Sequence, residues 1–407
     1  MLAVLSSPTA HAASSLQFSG FGSFAVSHDD GRGIALRRDL GQPVPETRDY
    51  SFRSDSILGL KTGYRLSPTL EFGGQVVLRD RADFKAGSII EGAHLNWHPS
   101  ERLAVRGGRM GLDVFMLSDY RSVAYAQPWV RPPREFYGWI PLHTIDGMDV
   151  AWRYDTHGTR WTTKVQLGRS TGRVSLDENR HFTFRADRLY DLTVHAERGA
   201  WQFKLGYASF RIGSQPRYAA LNQALGSVAA LGVPGASEEA ADLREGMWLK
   251  GARMQYLSLG TAYDDGQWQV QAEIARVKPD SHLAVSGSAA YASVAYRMGN
   301  LVPYMVLAGF HPDRNPRTPR NDWSNLGRDA MIAQSTAVAT YNHLRVDQRT
   351  VSLGVRWDFR SRSAFKLQWD RSWIEKHGYG LWEVDGLISG DRKRSVDVMT
   401  LSLDFVF

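Results

Sequence analysis

Connections between the predicted strands alternate between short polar turns and long loops, and this alternation constrains the fold more than any other feature. Short turns are predicted near residues 67–68, 99–100, 157–158, 198–199, 265–266, 299–300 and 361–362. Longer connections are predicted near residues 29–50, 83–87, 110–143, 172–187, 212–248, 278–286, 311–346 and 376–394. Seven short and eight long connections join sixteen strands, with both chain ends on the short-turn side. A soluble β-sandwich has no physical reason to sort loop lengths by end, whereas an up-and-down barrel in a membrane does.

The strands themselves alternate in polarity. In one of them, Trp268, Val270 and Ile274 share one face, and Gln269 and Glu273 share the other. Many strands run for about ten to thirteen residues, which exceeds the usual five or six of globular sheets and suits a tilted membrane strand. Aromatic residues at the strand ends beside the short turns predict an interfacial girdle. These aromatic residues are Tyr64, Trp97, Trp161, Trp201, Trp268, Tyr296, Trp357 and Phe365.

No window of the sequence has the roughly 18 consecutive apolar residues of a membrane-spanning helix. The most apolar stretch, residues 302–310, is short and contains Pro303, and the mean hydropathy is −0.35. The pattern therefore predicts an all-β fold, a transmembrane antiparallel up-and-down β-barrel of about 16 strands. Its short turns are expected to be periplasmic and its long loops extracellular.

The last strand ends on an aromatic residue. Leu401, Leu403 and Phe407 share one of its faces, and Ser402 and Asp404 share the other. Parity, the alternation of side chains between the two faces of a strand, predicts that the Phe407 face contacts lipid and that Asp404 contacts water. A carboxyl-terminal Phe in this position resembles the assembly signal of outer-membrane proteins.

The amino-terminus carries an export pattern. Ala10-His11-Ala12 forms a small-residue cleavage site after a short apolar run. We therefore interpret residues 1–12 as a signal-peptide remnant and residues 13–407 as a single barrel domain; the alternative is an unstructured terminus. The chain has no cysteine, which excludes disulfides, thiolate metal sites and a cysteine nucleophile.

Taken together, these features resemble the classical Gram-negative outer-membrane porins, over residues 15–407 and at the level of architecture. The resemblance implies a homotrimer in the cell outer membrane that acts as a passive diffusion channel for small hydrophilic solutes. It implies no enzymatic activity and no cofactor. Expected partners are membrane lipids, lipopolysaccharide, the barrel assembly machinery and the solutes themselves, with no nucleic acid. In such porins the third long loop folds into the lumen, and here that loop is residues 110–143.

This third loop is too apolar and aromatic to be freely solvated, since residues such as Leu112, Phe115, Trp129 and Trp139 require burial. Packed against the inner wall, it would present charged side chains to a narrowed pore. The alternatives are a loop that covers the mouth or one that packs at a subunit interface. The predicted constriction and solute-contact residues are Arg106, Arg109, Asp113, Asp119, Arg121, Trp129, Arg131, Arg134, Glu135, Arg153, Lys164 and Arg356.

Strand parity predicts a lumen with charges of both signs, which suits a water-filled channel. The predicted inward cations are Lys61, Arg106, Arg153, Lys164, Lys204, Arg253, Arg356 and Lys366. The predicted inward anions are Glu71, Asp149, Asp191, Glu273, Asp358, Asp370 and Asp404. The formal net charge of +7 allows a preference for anions or carboxylates but does not require it, because many arginines lie in the loops.

Other functions remain open at this point. A substrate-selective channel for a sugar or an aromatic or organic acid would use Trp129, Tyr137 and Trp139 for stacking and arginines as a carboxylate clamp. An outer-membrane barrel enzyme would need a converging Ser, His and acid, and the Gly-x-Ser-x-Gly motif is absent. An adhesin or structural barrel would have a filled lumen. No catalytic or metal-binding residues are predicted.

Overall fold

The computed structural model describes residues 16–31, 33–43, 50–81, 85–175, 181–384 and 390–407. The predicted signal-peptide remnant, residues 1–12, lies outside the described residues, so its assignment stays a prediction. None of the described helices is long and apolar enough to cross a membrane.

Sixteen antiparallel strands form one closed sheet, as the alternation of the sequence predicts. Every strand pairs with its neighbours in chain order, and the first strand pairs with both the second and the last. The strands are β1 (Leu16–Asp29), β2 (Ile57–Ser67), β3 (Leu70–Arg79), β4 (Ile90–Trp97), β5 (Leu103–Gly111), β6 (Thr144–Thr156), β7 (Thr159–Ser175), β8 (His181–Arg198), β9 (Trp201–Ile212), β10 (Arg253–Asp264), β11 (Trp268–Pro279), β12 (Gly287–Tyr296), β13 (Leu301–Pro312), β14 (Val346–Arg360), β15 (Ser363–Tyr379) and β16 (Arg394–Val406).

The seven short turns and the sorting of loops by end are confirmed. The fourth loop is the exception: residues 172–187 were expected to form it, but β7 runs to Ser175 and β8 starts at His181, and these two residues pair. The long-loop end also holds α1 (Ala86–Ile89), α2 (Arg134–Tyr137), α3 (Ala219–Ala229), α4 (Ala236–Glu245) and α5 (Arg328–Asn342). Short 3-10 turns cover Ala124–Ala126 and Ser324–Leu326, and short strands cover Ile34–Leu36, Tyr50–Ser51 and Trp382–Val384.

The carboxyl-terminal residue takes part in closing the barrel. The amide of Gly20 donates to the carbonyl of Phe407 over 2.9 Å, and the amide of Phe407 donates back over 3.0 Å. The Phe407 ring lies over Gly20, where a methyl group would come within 2.2 Å of the ring. A glycine at this position therefore makes room for the terminal aromatic side chain at the seam between β1 and β16.

The two faces of the sheet differ as the parity predicts. On β16, Leu401 is 48% exposed on the outer face, whereas Asp404 is fully buried on the inner face. Ring pairs such as Tyr154 with Trp161, whose centroids are 6.2 Å apart, lie at the short-turn ends of the strands. The outer apolar face includes Leu58, Leu60, Leu95, Met148, Val150, Leu167, Leu192, Leu205, Leu257, Ile274, Leu307, Leu353, Leu367 and Leu401, all exposed. An outer face of this composition fits lipid rather than water.

The inner face of the barrel is largely buried. Inward-facing side chains are buried on almost every strand, so other parts of the chain cover them. Examples from twelve strands are Ser23, Asp149, Gln166, Thr193, Lys204, Ser258, Glu273, Ser293, Val306, Ser352, Gln368 and Ser402. The third loop contacts several of them, namely Gln166, Lys204, Ser258, Glu273 and Gln368.

Candidate pore and its folded loop

The third connection, residues 112–143, lies inside the barrel and is called the folded loop below. It leaves the wall after Gly111 and returns at Thr144, and the amide of Leu112 donates to the carbonyl of His143 over 3.1 Å. Residues 129–140 are all buried. This part of the folded loop is therefore closely packed, as expected for a segment of this apolar composition.

The first part of the folded loop is anchored by Asp113. Its carboxylate accepts hydrogen bonds from Lys164 on β7 and Lys204 on β9. Its amide donates to the side chain of Gln166 over 2.8 Å, and Lys204 also donates to the carbonyl of Phe115 over 2.7 Å. Burial alone would raise the pKa of Asp113, but the two ammonium groups outweigh burial and hold that pKa below its usual range. The carboxylate is therefore ionised at neutral pH.

The next residues continue along the wall to β10 and β11. The amide of Met116 donates to Glu273 over 2.9 Å, and the Ser258 hydroxyl donates to the carbonyl of Val114 over 2.7 Å. Glu273 also accepts from the hydroxyls of Tyr137 and Tyr291. One wall carboxylate thus binds both the outgoing and the returning part of the folded loop.

Arg131 anchors the returning part. Its guanidinium binds Asp55 of the first long connection, with contacts of 2.8 and 3.0 Å, and it also binds Asp370 on β15 and Thr400 on β16. Its side chain is only 3% exposed. A buried guanidinium that bridges two carboxylates is costly to break, because each remaining charge would lack a partner.

Two cations of the wall hold backbone carbonyls of the folded loop. Lys366 donates to Ala124 over 2.7 Å and to Trp129 over 2.8 Å. Arg356 donates to Tyr125 over 2.6 Å and to Gln127 over 3.0 Å. The charged wall therefore satisfies the polar backbone of a segment whose only regular element here is the 3-10 turn Ala124–Ala126.

Aromatic side chains fill the space between these anchors. Phe136 and Tyr137 contact Tyr291 on β12 with centroid distances of 5.3 and 6.0 Å, and Trp139 contacts Phe310 on β13 at 5.7 Å. Trp129 is 2% exposed. Such contacts fix the path of the folded loop across the lumen.

The first and eighth loops cover the folded loop from the long-loop end. Arg134 donates to the carbonyl of Leu381, and its guanidinium lies 4.2 Å from the centroid of Trp382. The amide of Leu40 donates to the carbonyl of Gly138 over 2.9 Å. Ile34–Leu36 pairs with Trp382–Val384 as a two-stranded sheet above this region. Glu135, in turn, binds Gln348 and Thr350 on β14.

No family model matches the sequence, and no curated protein matches it either. Solved structures do match. The anion-selective porin from Comamonas acidovorans is 12% identical with a TM-score of 0.54, and the match covers 97% of this chain and 100% of that one. The outer membrane channel DcaP of Acinetobacter baumannii is 10% identical with a TM-score of 0.52, covering 99% and 100%. Salmonella typhi OmpF, in complex with daunomycin, is 11% identical with a TM-score of 0.52, covering 97% and 98%.

The fold is that of the outer-membrane porins. At identities of 10–12% the similarity concerns the fold, and the subfamily is not determined by it. The porin fold is the architecture of an outer-membrane β-barrel, which agrees with the apolar outer face and the charged inner wall.

Within this porin fold, six of the predicted constriction residues do not face open water. The buried residues are Asp113, Trp129, Arg131, Arg134 and Glu135 of the folded loop and Arg356 of the wall. The prediction that they line a water-filled constriction is therefore wrong. Sequence parity identifies which wall residues face inward, but it cannot show that their charges bind loop residues so closely that water is excluded.

Arg109 is misplaced by the sequence analysis. It is paired with Asp146, and their side chains form a two-contact ion pair at 2.6 and 2.8 Å. Asp146 shares the outer face of β6 with Met148 and Val150, which are 49% and 41% exposed. Arg109 also donates to the carbonyl of Gly87 over 2.6 Å. The prediction failed because Arg109 was counted with the loop, whereas it is an outward-facing position of β5.

Arg253 was also predicted to face inward and does not. The inward face of β10 carries Met254 and Tyr256, both buried, whereas Leu257 is 50% exposed on the outer face with Arg253. The guanidinium of Arg253 lies 3.3 Å from the hydroxyl of Tyr190, also on the outer face. The prediction was wrong by one residue of register at the start of β10, and a shift of one residue exchanges the two faces of a strand.

The remaining predicted residues face the lumen or lie at the turn of the folded loop. Arg106 forms an ion pair with Asp149 at 2.6 Å on the inner wall. Arg153 and Asp119 are exposed, and Arg121 donates to the carbonyl of Tyr137 over 2.5 Å. Arg106 and Arg153 thus lie on the polar inner wall, whereas Arg121 lies beside Asp39 and Arg79 near the long-loop end. The role of these predicted residues in solute selection stays a prediction.

A cluster of charges joins the first loop to the folded loop. Asp39 binds Arg79 at 2.7 Å and lies 4.0 Å from His143. Burial alone would raise the pKa of Asp39, but Arg79, Arg121 and Arg38 outweigh it and lower the pKa to about 2. Burial, with neighbouring arginines, lowers the pKa of His143 well below its usual range, so this imidazole is neutral at physiological pH.

This cluster predicts acid sensitivity. The pKa of Asp39 is lowered on folding, so its stabilising contribution is present above pH 4 and is lost as the pH falls from about 4 to 2. We expect Asp39→Asn to lower the melting temperature at pH 7 and to flatten its decline between pH 4 and 2. Thermal unfolding of the detergent-solubilised protein measures this, with Asp155→Asn as control because Asp155 is 79% exposed. If the melting temperatures of Asp39→Asn and of the unchanged protein declined equally between pH 4 and 2, the acid sensitivity would not come from Asp39.

The sequence analysis missed an apolar cavity on the other side of the folded loop. Its volume is about 460 Å³. Inward residues of β8 to β11 form its wall, including Phe184, Phe210 and Val277, and Leu112 and Trp139 of the folded loop form its floor. The parity of these strands already placed apolar residues inside near the long-loop end. This parity is the sequence signal that predicts the cavity.

Proposed function

We propose that this protein is an outer-membrane channel through which small solutes diffuse passively, selected by the folded loop. The observation that carries this proposal is the attachment of the folded loop to the inner wall of a closed barrel, through Asp113 at one end and Arg131 at the other. The apolar outer face supports membrane insertion, and the fold shared with the anion-selective porin and DcaP supports a channel. Passive flow requires neither a cofactor nor a covalent step.

Selective passage is favoured over general diffusion of hydrophilic solutes. A general pore needs a wide aqueous path, whereas here inward side chains are buried on most strands and several of them bind the folded loop. A preference for anions through Arg131 and Arg134 is not supported, because Arg131 is paired with two carboxylates and Arg134 is buried beneath Trp382. The exposed Arg153 and the partly exposed Arg106 on the inner wall are the cations that support contact with solutes in the lumen.

Single-channel recording in planar lipid bilayers tests this proposal. We expect purified protein to insert and to conduct small, discrete current steps in potassium chloride, because the folded loop restricts the path. Inserted protein that never conducts would contradict the channel and favour an adhesin or structural barrel with a filled lumen. Heat-denatured protein at the same concentration is the control for leakage by detergent.

The expected partners are proposals of the same kind. We propose a homotrimer, contacts with lipopolysaccharide and assembly by the barrel machinery. The position of Phe407 on the outer face of the seam, 56% exposed, supports its recognition as an assembly signal. Deleting Phe407 tests this: the fraction of protein that migrates as folded barrel before heating should fall, and an unchanged fraction would contradict it.

A further inference from the structure

The apolar cavity lies where a solute from the long-loop side would first meet the folded loop. Strands β8 to β11 form its wall, the folded loop forms its floor, and residues of α3 and α5 complete it. At about 460 Å³ it falls within the range of small-molecule sites, which are mostly apolar with a few polar groups. A purely hydrophilic solute would gain little there, since it would lose water without gaining hydrogen bonds.

The lining favours ring-shaped solutes. Phe115 and Trp139 of the folded loop face the same cavity as Phe184, Phe210 and Tyr256 of the wall. These rings already pack edge to face, as between Phe115 and Tyr256 at 5.5 Å. Aromatic side chains present both faces and edges to a guest ring, and such contacts add to the apolar area that is buried.

One cation lies in this apolar lining. Among the described residues around the cavity, Arg217 is the only lysine or arginine. It is exposed, and it makes no hydrogen bond or ion pair with any described residue, unlike the buried arginines of the folded loop. A free guanidinium beside an apolar cavity matches a carboxylate attached to an apolar body, because the two can form a two-contact ion pair.

We propose that this cavity is a binding site for small aromatic carboxylates, with the ring in the apolar space and the carboxylate on Arg217. This inference names the solute class of the proposed channel and rests on that function. It also reassigns the carboxylate clamp: Arg217 at the cavity takes that role, while Arg131 and Arg134 hold the folded loop in place.

The test is a binding measurement that does not depend on conductance. The probe is 4-(trifluoromethyl)benzoate, whose ¹⁹F resonance broadens on binding; empty micelles at equal detergent concentration give the background. We expect 4-(trifluoromethyl)benzyl alcohol, which lacks the charge, and trifluoroacetate, which lacks the ring, each to bind about tenfold more weakly or not at all. Equal binding of the alcohol would overturn the carboxylate assignment and leave an apolar site only.

Two variants and two matched controls locate the site. Arg217→Gln removes the cation, and Ala339→Trp fills the cavity from an exposed position of α5; both should weaken binding of the benzoate by about tenfold or more. Arg328→Gln and Ser335→Trp make the same changes at exposed positions of α5 that do not line the cavity, and both should bind as the unchanged protein does. If all four variants bound the benzoate with equal affinity, the proposal would be overturned.

Conductance separates this inference from the proposed function. If the protein conducts in bilayers but does not bind the benzoate, the cavity assignment is wrong and the channel stands. If it binds the benzoate but never conducts, the channel is wrong and the binding site stands. If both hold, benzoate added on the long-loop side should interrupt the current in the unchanged protein and not in Arg217→Gln.

Discussion

Replacing Arg131 with methionine is expected to lower the free energy of unfolding by about 3–5 kcal/mol, the range for breaking a buried ion pair from one side. Methionine fills a similar apolar space but leaves Asp370 without its cation and Asp55 with only Arg38, at 4.0 Å. Both carboxylates are almost completely buried, at 2% and 6% exposure, so water cannot replace the guanidinium without moving the folded loop. Chemical unfolding in lipid vesicles, followed by tryptophan fluorescence, measures the loss.

The matched control for this substitution is Arg153→Met. Arg153 also faces the lumen, but it is exposed toward the short-turn end, so its removal leaves no buried charge. We expect a change within about 0.5 kcal/mol, as for most surface substitutions. A second variant, Arg131→Met with Asp370→Asn, should recover part of the loss because one of the two uncompensated charges is removed. An Arg131→Met protein as stable as the unchanged protein would mean that these ion pairs do not hold the folded loop.

The barrel could be predicted from the sequence because it depends on local patterns. Alternation with period two, hairpin turns such as Asp265-Gly266 and the sorting of loop lengths are all visible without knowledge of tertiary contacts. The terminal Phe407 also fixed the parity of the last strand, and the structure places Asp404 inside and Leu401 outside. The errors in the barrel lie at strand ends: Arg109 was counted with the loop, Arg253 was assigned to the wrong face, and the fourth long loop is shorter than predicted.

The interior could be predicted only in part. The apolar composition of residues 110–143 correctly indicated burial, yet it could not indicate which wall group each loop residue meets. Asp113 finds Lys164 and Lys204, and Arg131 finds Asp370 at a sequence separation of 239 residues. Such pairs depend on how far the loop reaches across a closed sheet, and no local pattern encodes that distance. The apolar cavity depends on the same long-range placement of α3 and α5 over inward residues of four strands.

The lumen charges therefore have two different roles that composition does not separate. Lys164, Lys204, Arg356 and Lys366 are all inward cations, and each donates to a carboxylate or carbonyl of the folded loop. They hold the folded loop in place. Arg153 is exposed and has no such partner among the described residues, so under the proposed function it is available to solutes. Net charge alone thus gives no measure of ion selectivity in this barrel.

Shortening the folded loop should raise single-channel conductance several-fold. Replacing residues 118–139 with a flexible six-residue linker keeps the Asp113 anchor and removes the segment that covers β12 to β16. Lys366, Gln368 and Asp370 would then face water, so their charges are hydrated instead of left buried without partners. We therefore expect a folded barrel, unlike the strongly destabilised Arg131→Met protein, with a wider path for ions.

The control for this deletion replaces residues 219–245, which form α3 and α4 outside the folded loop, with the same linker. If the folded loop forms the narrowest point of the pore, only the replacement of residues 118–139 enlarges the current steps. Both variants should still migrate as folded barrels before heating. The second deletion should instead remove benzoate binding, because α3 contributes to the apolar cavity. Unchanged conductance after loss of residues 118–139 would contradict the constriction, since ions would then pass by a route that the folded loop does not restrict.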